Sequence, residues 1–107
     1  MIYRVFQIHL DRSTAFPGTP EFEMYCDATV FPKAPAIKTA WDAGMYTLAG
    51  LVDADDEEEA FELTNLWEKP EKVAKIADKM HSMSVGDVII DAVNKKVFCA
   101  SFGFKEF

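Results

Sequence analysis

The sequence has few of the residues and patterns that would identify a chemical function directly. It contains two cysteines, Cys26 and Cys99, and two histidines, His9 and His81, with no metal-ligand spacing among them. Neither phosphate-binding pattern, G-x-x-x-x-G-K-[ST] or G-x-G-x-x-G, is present. We therefore predict no metal centre and no cofactor, and we expect both cysteines to be free thiols.

Long apolar segments are also missing. No apolar run approaches the roughly 20 residues that cross a bilayer, and the alternating start of the chain has no small-residue cleavage site. We therefore expect a cytoplasmic protein without membrane contact. The 107 residues are half hydrophobic and 13% aromatic, which favours one folded domain spanning residues 1–107.

The net charge of −7 comes from one short segment. Residues 53–62, "DADDEEEAFE", contain seven acids and no base, and the other eleven acids balance the eleven Lys and Arg residues. This acidic patch repels phosphate backbones, so direct nucleic-acid binding is not expected. It also lacks the alternating ligands and central glycine of an EF-hand, so we predict no calcium site there. The acidic patch consists of Asp53, Asp55, Asp56, Glu57, Glu58, Glu59 and Glu62.

The N-terminal third of the chain is predicted to form two strands. Alternation predicts a strand over residues 2–10, buried mainly on the face of Ile2, Phe6 and Ile8, with His9 on the other face. A proline-containing loop follows over residues 11–21. Alternation from Phe22 then predicts a second strand that ends before Pro32 and forms a hairpin with the first.

The middle of the chain is predicted to form helices before and after one strand. We predict a short helix over residues 36–43 and a strand over residues 45–54, in which Gly50 marks a bulge or close packing. The acidic patch then begins a helix capped by Asp55 or Asp56. Pro70 suits the start of a further helix that ends at Met80 and carries Lys69, Lys72, Lys75 and Lys79. This basic helix either pairs with the acidic one or leaves the acidic patch open to a partner.

Two strands, "VIIDAV" and "VFCASFGF", joined by a polar turn at residues 94–96, predict a C-terminal hairpin. The order of the elements predicts an α+β fold, with a mainly antiparallel sheet of about five strands and two or three helices packed against it. The aromatic side chains, among them Phe102, Phe104 and Phe107, are expected mainly in the core, and a dimer or partner surface is the alternative.

The stretch "HSMSVGDVIID", residues 81–91, is the most suggestive chemically. His81 with Ser82 or Ser84 and Asp87 supplies the residue types of a catalytic triad. However, triad members usually come from separate segments, and no G-x-S-x-G elbow is present. We favour a joint in which His81 follows a helix end and the turn at Asp87 begins a strand.

Several of these segments carry a resemblance. "YTLAGLVDADDEEEAFELTN", "HSMSVGDVIID" and the closing "FGFKEF" resemble small uncharacterised proteins of bacteriophages and other mobile elements, which share an SMSVGDV motif and a terminal GF. The resemblance covers most of the chain except residues 15–35. It implies a protein made inside an infected bacterium, and it assigns no activity and no catalytic residue.

Our leading hypothesis is a small accessory protein that acts by protein binding. Its acidic patch would contact a host or phage protein, basic or nucleic-acid-binding, and could inhibit a host defence factor. The first alternative is a small hydrolase or transferase with a site near His81. The second is a homodimeric structural component.

Overall fold

The chain forms a six-stranded antiparallel sheet with helices on both faces, in a computed structural model that describes all residues 1–107. The sheet order is β3-β2-β1-β4-β5-β6. The predicted α+β class and antiparallel sheet are confirmed, with six strands rather than about five. The elements are β1 (Ile2–Ile8), α1 (Pro20–Thr29), α2 (Ala34–Asp42), β2 (Tyr46–Asp53), α3 (Glu57–Leu66), β3 (Val73–Lys75), β4 (Val88–Ile90), β5 (Lys96–Cys99) and β6 (Phe104–Glu106).

Two clusters of buried side chains lie on opposite faces of the sheet. One joins α1 and α2 to Val88, Ile90 and Phe98, and the other joins α3 to Val5 and Ile89. Consecutive residues of β4 therefore point into different clusters, as strand geometry requires. The protein has three layers, with the sheet between α1 and α2 on one side and α3 on the other.

Strand β1 is buried most completely on the face opposite to the predicted one. Tyr3, Val5 and Gln7 are 3%, 0% and 5% exposed, whereas Ile2 is 49% exposed. The prediction was wrong because both faces of β1 are covered, and the more tightly covered face carries Gln7 rather than a third apolar residue.

The prediction for Gly50 is confirmed in both respects. The register between β1 and β2 shifts at this point, since Val5 pairs with Gly50 while Phe6 pairs with Leu48. A Cβ atom on Gly50 would lie 2.5 Å from the sulfur of Met80. The absence of a side chain therefore lets the segment before the 81–91 stretch pack directly on the sheet.

The predicted second strand is a helix, so the predicted N-terminal hairpin is wrong. Helix α1 begins at Pro20, and the Thr19 hydroxyl accepts a hydrogen bond from the Phe22 amide at 3.4 Å. A threonine cap, a proline in the first position and acidic residues in the first turn form a strong helix start. That local signal outweighs the short alternation that begins at Phe22.

The predicted basic helix is also absent. Pro70–Lys72 form one turn of 3-10 helix, and Val73–Lys75 then pair with β2 at the edge of the sheet. The amides of Ile76 and Ala77 both donate to the Ala49 carbonyl at 2.9 Å. The open edge of β2 supplies backbone partners that helical spacing of apolar residues does not reveal.

Most of the remaining elements follow the prediction. Helix α2, strand β2, helix α3 and the β4-β5 hairpin form at the expected places. The predicted strand "VFCASFGF" is wrong in its length, since it ends at Cys99 and a bend at residues 101–103 leads into β6, which pairs back on β5. Most aromatic side chains pack inside, for example Trp41 against Phe6 and Phe107 with ring centroids 5.1 and 6.0 Å apart. Four aromatic side chains are exposed instead, namely Phe16, Phe31, Trp67 and Phe102, of which Phe102 at the turn before β6 is the most exposed at 91%.

Candidate functional site

The acidic patch lies at the start of α3 and in the loop that precedes it. Glu57 and Glu59 are half-buried, whereas the other members are exposed. The carboxylate of Asp56 caps the helix by accepting a hydrogen bond from the Glu59 amide at 2.8 Å. The Glu59 carboxylate in turn accepts one from the Asp55 amide at 3.0 Å. Asp56 and Glu59 therefore have a structural role as a reciprocal cap.

Few cations neutralise the acidic patch. Only Asp53 has an ionic partner within 4.0 Å, namely the amino group of Met1 at 3.2 Å and Lys72 at 4.0 Å. The predicted helix that was to carry four lysines does not form, and Lys69, Lys75 and Lys79 make no ion pair. The side chains of Asp55, Glu58 and Glu62 have neither an ion pair nor a hydrogen bond within the protein.

A groove of about 310 Å³ runs beside this surface. Carboxylates from before, within and after α3 line this groove, and two lysines line it as well: Asp53, Asp55, Glu59, Glu62, Glu68, Lys69 and Lys72. Leu63 and Leu66 form an apolar strip within it. The acidic face of α3 is thus accessible and includes apolar surface, as protein-binding surfaces commonly do.

The part of the 81–91 stretch that precedes β4 packs against α1 at Gly86 and carries a second polar cluster. Asp87 is 2% exposed, and its Oδ2 atom accepts hydrogen bonds from Gln7 Nε2 and the Ser84 amide, both at 3.0 Å. Gln7 also donates to the His81 carbonyl at 2.9 Å and accepts from the His81 amide at 3.1 Å. One glutamine side chain in β1 therefore fixes both ends of the segment from His81 to Asp87.

The hydrogen bonds also define the tautomer of His81. Its Nδ1 atom lies 2.7 Å from the Ser82 carbonyl oxygen, a separation that requires a proton between the two atoms. Gln7 Nε2 is 3.2 Å from the same nitrogen, but its two protons are engaged by Asp87 and the His81 carbonyl. The neutral imidazole therefore presents Nε2 as a free acceptor.

Burial raises the pKa values of three groups around this cluster. Desolvation raises the pKa of Asp87 from 3.8 to about 6, opposed by its hydrogen bonds and by nearby His81. Desolvation and the negative charge of Asp87 raise the pKa of Cys99 to about 11. The same two causes raise the pKa of Tyr46, whose hydroxyl donates to the Gly86 carbonyl at 2.6 Å.

These contacts do not form a catalytic triad. Asp87 accepts from Gln7 and the backbone rather than from the imidazole, so it does not orient His81 as a triad acid would. His81, Ser84 and Asp87 nevertheless line one cleft of about 330 Å³, together with Tyr25 and Thr29 of α1. The stretch is a joint into β4, as predicted, but no helix precedes His81.

The sequence identified the acidic patch and the 81–91 stretch, but it did not reveal the role of Gln7 or Tyr25. Gln7 had a detectable signal, because it is the polar member of a face that otherwise carries Tyr3 and Val5. Tyr25 had no sequence signal for a role in the cleft, since α1 was predicted as a strand. Its place in the cleft depends on the packing of α1 against the segment 84–86.

Comparisons with protein-family models, with curated proteins and with solved structures give no match to this chain. No helix is long and apolar enough to cross a membrane. No three His, Cys, Asp or Glu side chains are grouped in a way that could hold a metal ion.

Proposed function

We propose that this protein is a binding module that contacts a basic protein through the exposed carboxylates of α3 and the preceding loop. One observation carries the proposal: of the seven acids in the acidic patch, only Asp53 has a cation within 4.0 Å. Although Lys69 and Lys72 line the neighbouring groove, the other six acids of the patch form no ion pair within the protein.

Charge of one sign on one surface favours partners of the opposite sign. It accelerates their encounter and repels partners of like charge, including nucleic-acid backbones. Asp55, Glu58 and Glu62 are the members best placed to act, because no intramolecular contact occupies their side chains. The adjacent apolar strip of Leu63 and Leu66 adds contact area that pure charge attraction lacks.

The partner class follows from this charge and from the phage-type resemblance. We propose a basic host or phage protein, such as a nucleic-acid-binding factor whose own binding surface attracts carboxylates. Occupation of that surface by α3 would inhibit the factor. The hydrolase or transferase and the homodimer stay alternatives to this proposal.

The test is affinity capture from a bacterial lysate with three forms of the protein. The first is the unmodified chain, and the second carries Asp55→Asn, Glu58→Gln and Glu62→Gln. The third is a matched control with the same charge change on α1, Glu21→Gln, Glu23→Gln and Asp27→Asn, all exposed positions. We expect basic proteins to be captured by the first and third forms and lost from the second.

Raising the salt from about 0.15 M to about 0.5 M should release the captured proteins, because screening weakens exposed charge interactions. Capture that is the same for all three forms and indifferent to salt would contradict the proposal. A chain that captures nothing but itself, with a mass that rises with concentration, would favour the homodimer instead.

A further inference from the structure

Asp87 is a buried carboxylate without a cationic partner. It is 2% exposed, and no Lys, Arg or His nitrogen lies within 4.0 Å of its oxygens. Both of its protein hydrogen bonds end on Oδ2, donated by neutral amides of Gln7 and Ser84. Buried charges in proteins are ordinarily paired, so a carboxylate that is not paired marks a candidate binding position.

The unpaired carboxylate faces a cleft rather than closed protein interior. Asp87 lines the cleft of about 330 Å³ between α1 and the segment from His81 to Val85. The Oδ1 atom of Asp87 accepts no hydrogen bond within the protein. Since every fully buried side-chain oxygen and nitrogen has a hydrogen-bond partner, Oδ1 must keep some accessible surface, and the cleft is the space that Asp87 lines. The carboxylate thus presents to the cleft one oxygen without a hydrogen bond.

The other polar atoms of the cleft are also able to accept hydrogen bonds. When its imidazole is neutral, His81 can accept through Nε2, because Nδ1 lies against the Ser82 carbonyl oxygen and carries the proton. The hydroxyl groups of Ser84 and Tyr25 can accept as well, and neither has a partner within the protein. Ile8 and Val85 supply apolar wall. This arrangement suits a ligand with several donors, one positive charge and a short carbon chain.

We propose that the cleft between α1 and residues 81–87 binds a small protonated primary amine, with its ammonium group on Asp87. An ammonium group has three donors, which match the carboxylate and two of the remaining acceptors. Phosphates, sulfates and carboxylates are disfavoured there by the charge of Asp87. This site is distinct from the acidic face of α3, whose residues do not line the cleft.

Protonation of Asp87 should compete with the amine. The titratable groups around Asp87 are His81 from its own segment, Tyr25 from α1, Tyr46 from β2 and Cys99 from β5. The raised pKa values of Tyr46 and Cys99 keep both groups neutral at ordinary pH. Since the pKa of Asp87 is raised to about 6, its carboxylate is mostly ionised at neutral pH. Affinity for the amine should therefore fall as the pH drops below about 6.

The test is an NMR titration of the unmodified protein with n-butylamine, which is protonated at neutral pH, against n-butanol and butyrate as isosteric controls. The proposal predicts shifts of the Tyr25, Ser84 and Asp87 amides with the amine alone. Equal shifts with n-butanol would overturn the role of the charge. Amine shifts confined to residues 57–62 would overturn the site, since they would reflect attraction to α3.

Two matched variants separate the cleft carboxylate from general charge. Asp87→Asn keeps an oxygen that can accept from Gln7 and Ser84, and it should weaken amine binding by about tenfold or more. Asp27→Asn removes an exposed carboxylate from α1 and should leave binding unchanged. Equal effects of the two variants would contradict the proposal. If Asp87→Asn fails to fold, the amide shifts of the unmodified protein still show whether the amine binds in the cleft.

A lysine side chain of a partner presents the same ammonium group. Capped lysine, Nα-acetyl-lysine methylamide, tests that source in the same titration. Tighter binding of n-butylamine than of capped lysine assigns the cleft to free amines, and the reverse order assigns it to a protein side chain. Absence of cleft shifts with both probes overturns the ammonium site.

Discussion

Gln7 in the middle of the sheet donates a hydrogen bond of 3.0 Å to the carboxylate of Asp87, 80 positions away in the chain. The same side chain contacts both the amide and the carbonyl of His81. Replacing Gln7 by leucine preserves much of its volume, but it removes the partners of the His81 amide and carbonyl and leaves the Asp87 carboxylate with the Ser84 amide as its remaining donor. We expect Gln7→Leu to lower the free energy of unfolding by about 2 kcal/mol or more, measured by urea denaturation.

The control for this prediction is Asp42→Ala, which breaks the exposed Lys38–Asp42 ion pair of 2.9 Å. That change should cost at most about 0.5 kcal/mol, since exposed pairs contribute little. A Gln7→Leu protein as stable as the Asp42→Ala protein would show that the polar cluster does not hold the segment 81–87.

The raised pKa of Asp87 has a consequence for stability. Its carboxyl group titrates near 3.8 when unfolded and at about 6 when folded, so folding favours the protonated form. The stabilisation of the folded protein by the protonated Asp87 carboxyl group is fully present below about pH 3.8 and is lost as the pH rises through about 6. It amounts to about 3 kcal/mol at most.

Asp87→Asn removes this titration. Other carboxylates titrate in the same range, so the informative quantity is the difference in unfolding free energy between the two proteins. We expect the variant to gain stability relative to the unmodified protein as the pH rises from about 4 to about 7. A difference that is constant over this range would contradict the raised pKa.

The close packing of the 81–91 stretch on α1 can be tested at Gly86. Its φ angle is +95°, and a Cβ atom there would lie 2.3 Å from the Ala28 carbonyl oxygen. Gly44 has a φ angle of +74° but no heavy atom within 4 Å of the same position. Gly44→Ala should therefore cost about 1 to 2 kcal/mol through backbone strain alone. Gly86→Ala should cost clearly more, because backbone atoms must move as well.

Thermal unfolding of the two glycine variants gives the comparison. Equal losses of stability would mean that α1 and the segment at Gly86 are not in contact, and the cleft between them would then have another shape.

Within the acidic patch, stabilising and partner-binding roles should separate. Asp56→Ala removes the cap of α3 and should cost about 1 kcal/mol. Glu58→Ala removes an exposed carboxylate without hydrogen bonds and should leave the unfolding free energy within about 0.5 kcal/mol. Chemical denaturation of both variants checks this, and a larger loss for Glu58→Ala than for Asp56→Ala would contradict the assignment.

The sequence predicted those elements whose signals are local. Helix α3 follows from a capping aspartate and first-turn acids, and the C-terminal hairpin follows from two apolar runs around a polar turn. The helix start at Thr19 and Pro20 was also local, but alternation after Phe22 pointed the other way. Strand β3 was not predictable in this manner, because it depends on the unpaired edge of β2.

Of the two candidate sites, one is local in the sequence and the other is formed by tertiary packing. The acidic patch is contiguous in the chain, so its composition alone located it. The cleft needs Gln7, Tyr25 and Asp87 to meet, and that meeting depends on strand order and on the packing of α1. Whether lysines neutralise the patch was likewise a tertiary question, settled by the conformation of residues 70–80.

The central claim is that α3 and the loop before it bind a basic protein through Asp55, Glu58 and Glu62. The most direct measurement is the dissociation constant of the captured partner, by calorimetry, for the unmodified chain and the two triple variants of equal charge. We predict about tenfold weaker binding when Asp55, Glu58 and Glu62 are neutralised, and little change when Glu21, Glu23 and Asp27 are. Equal weakening by both triple variants would contradict the claim, because only net charge would then matter.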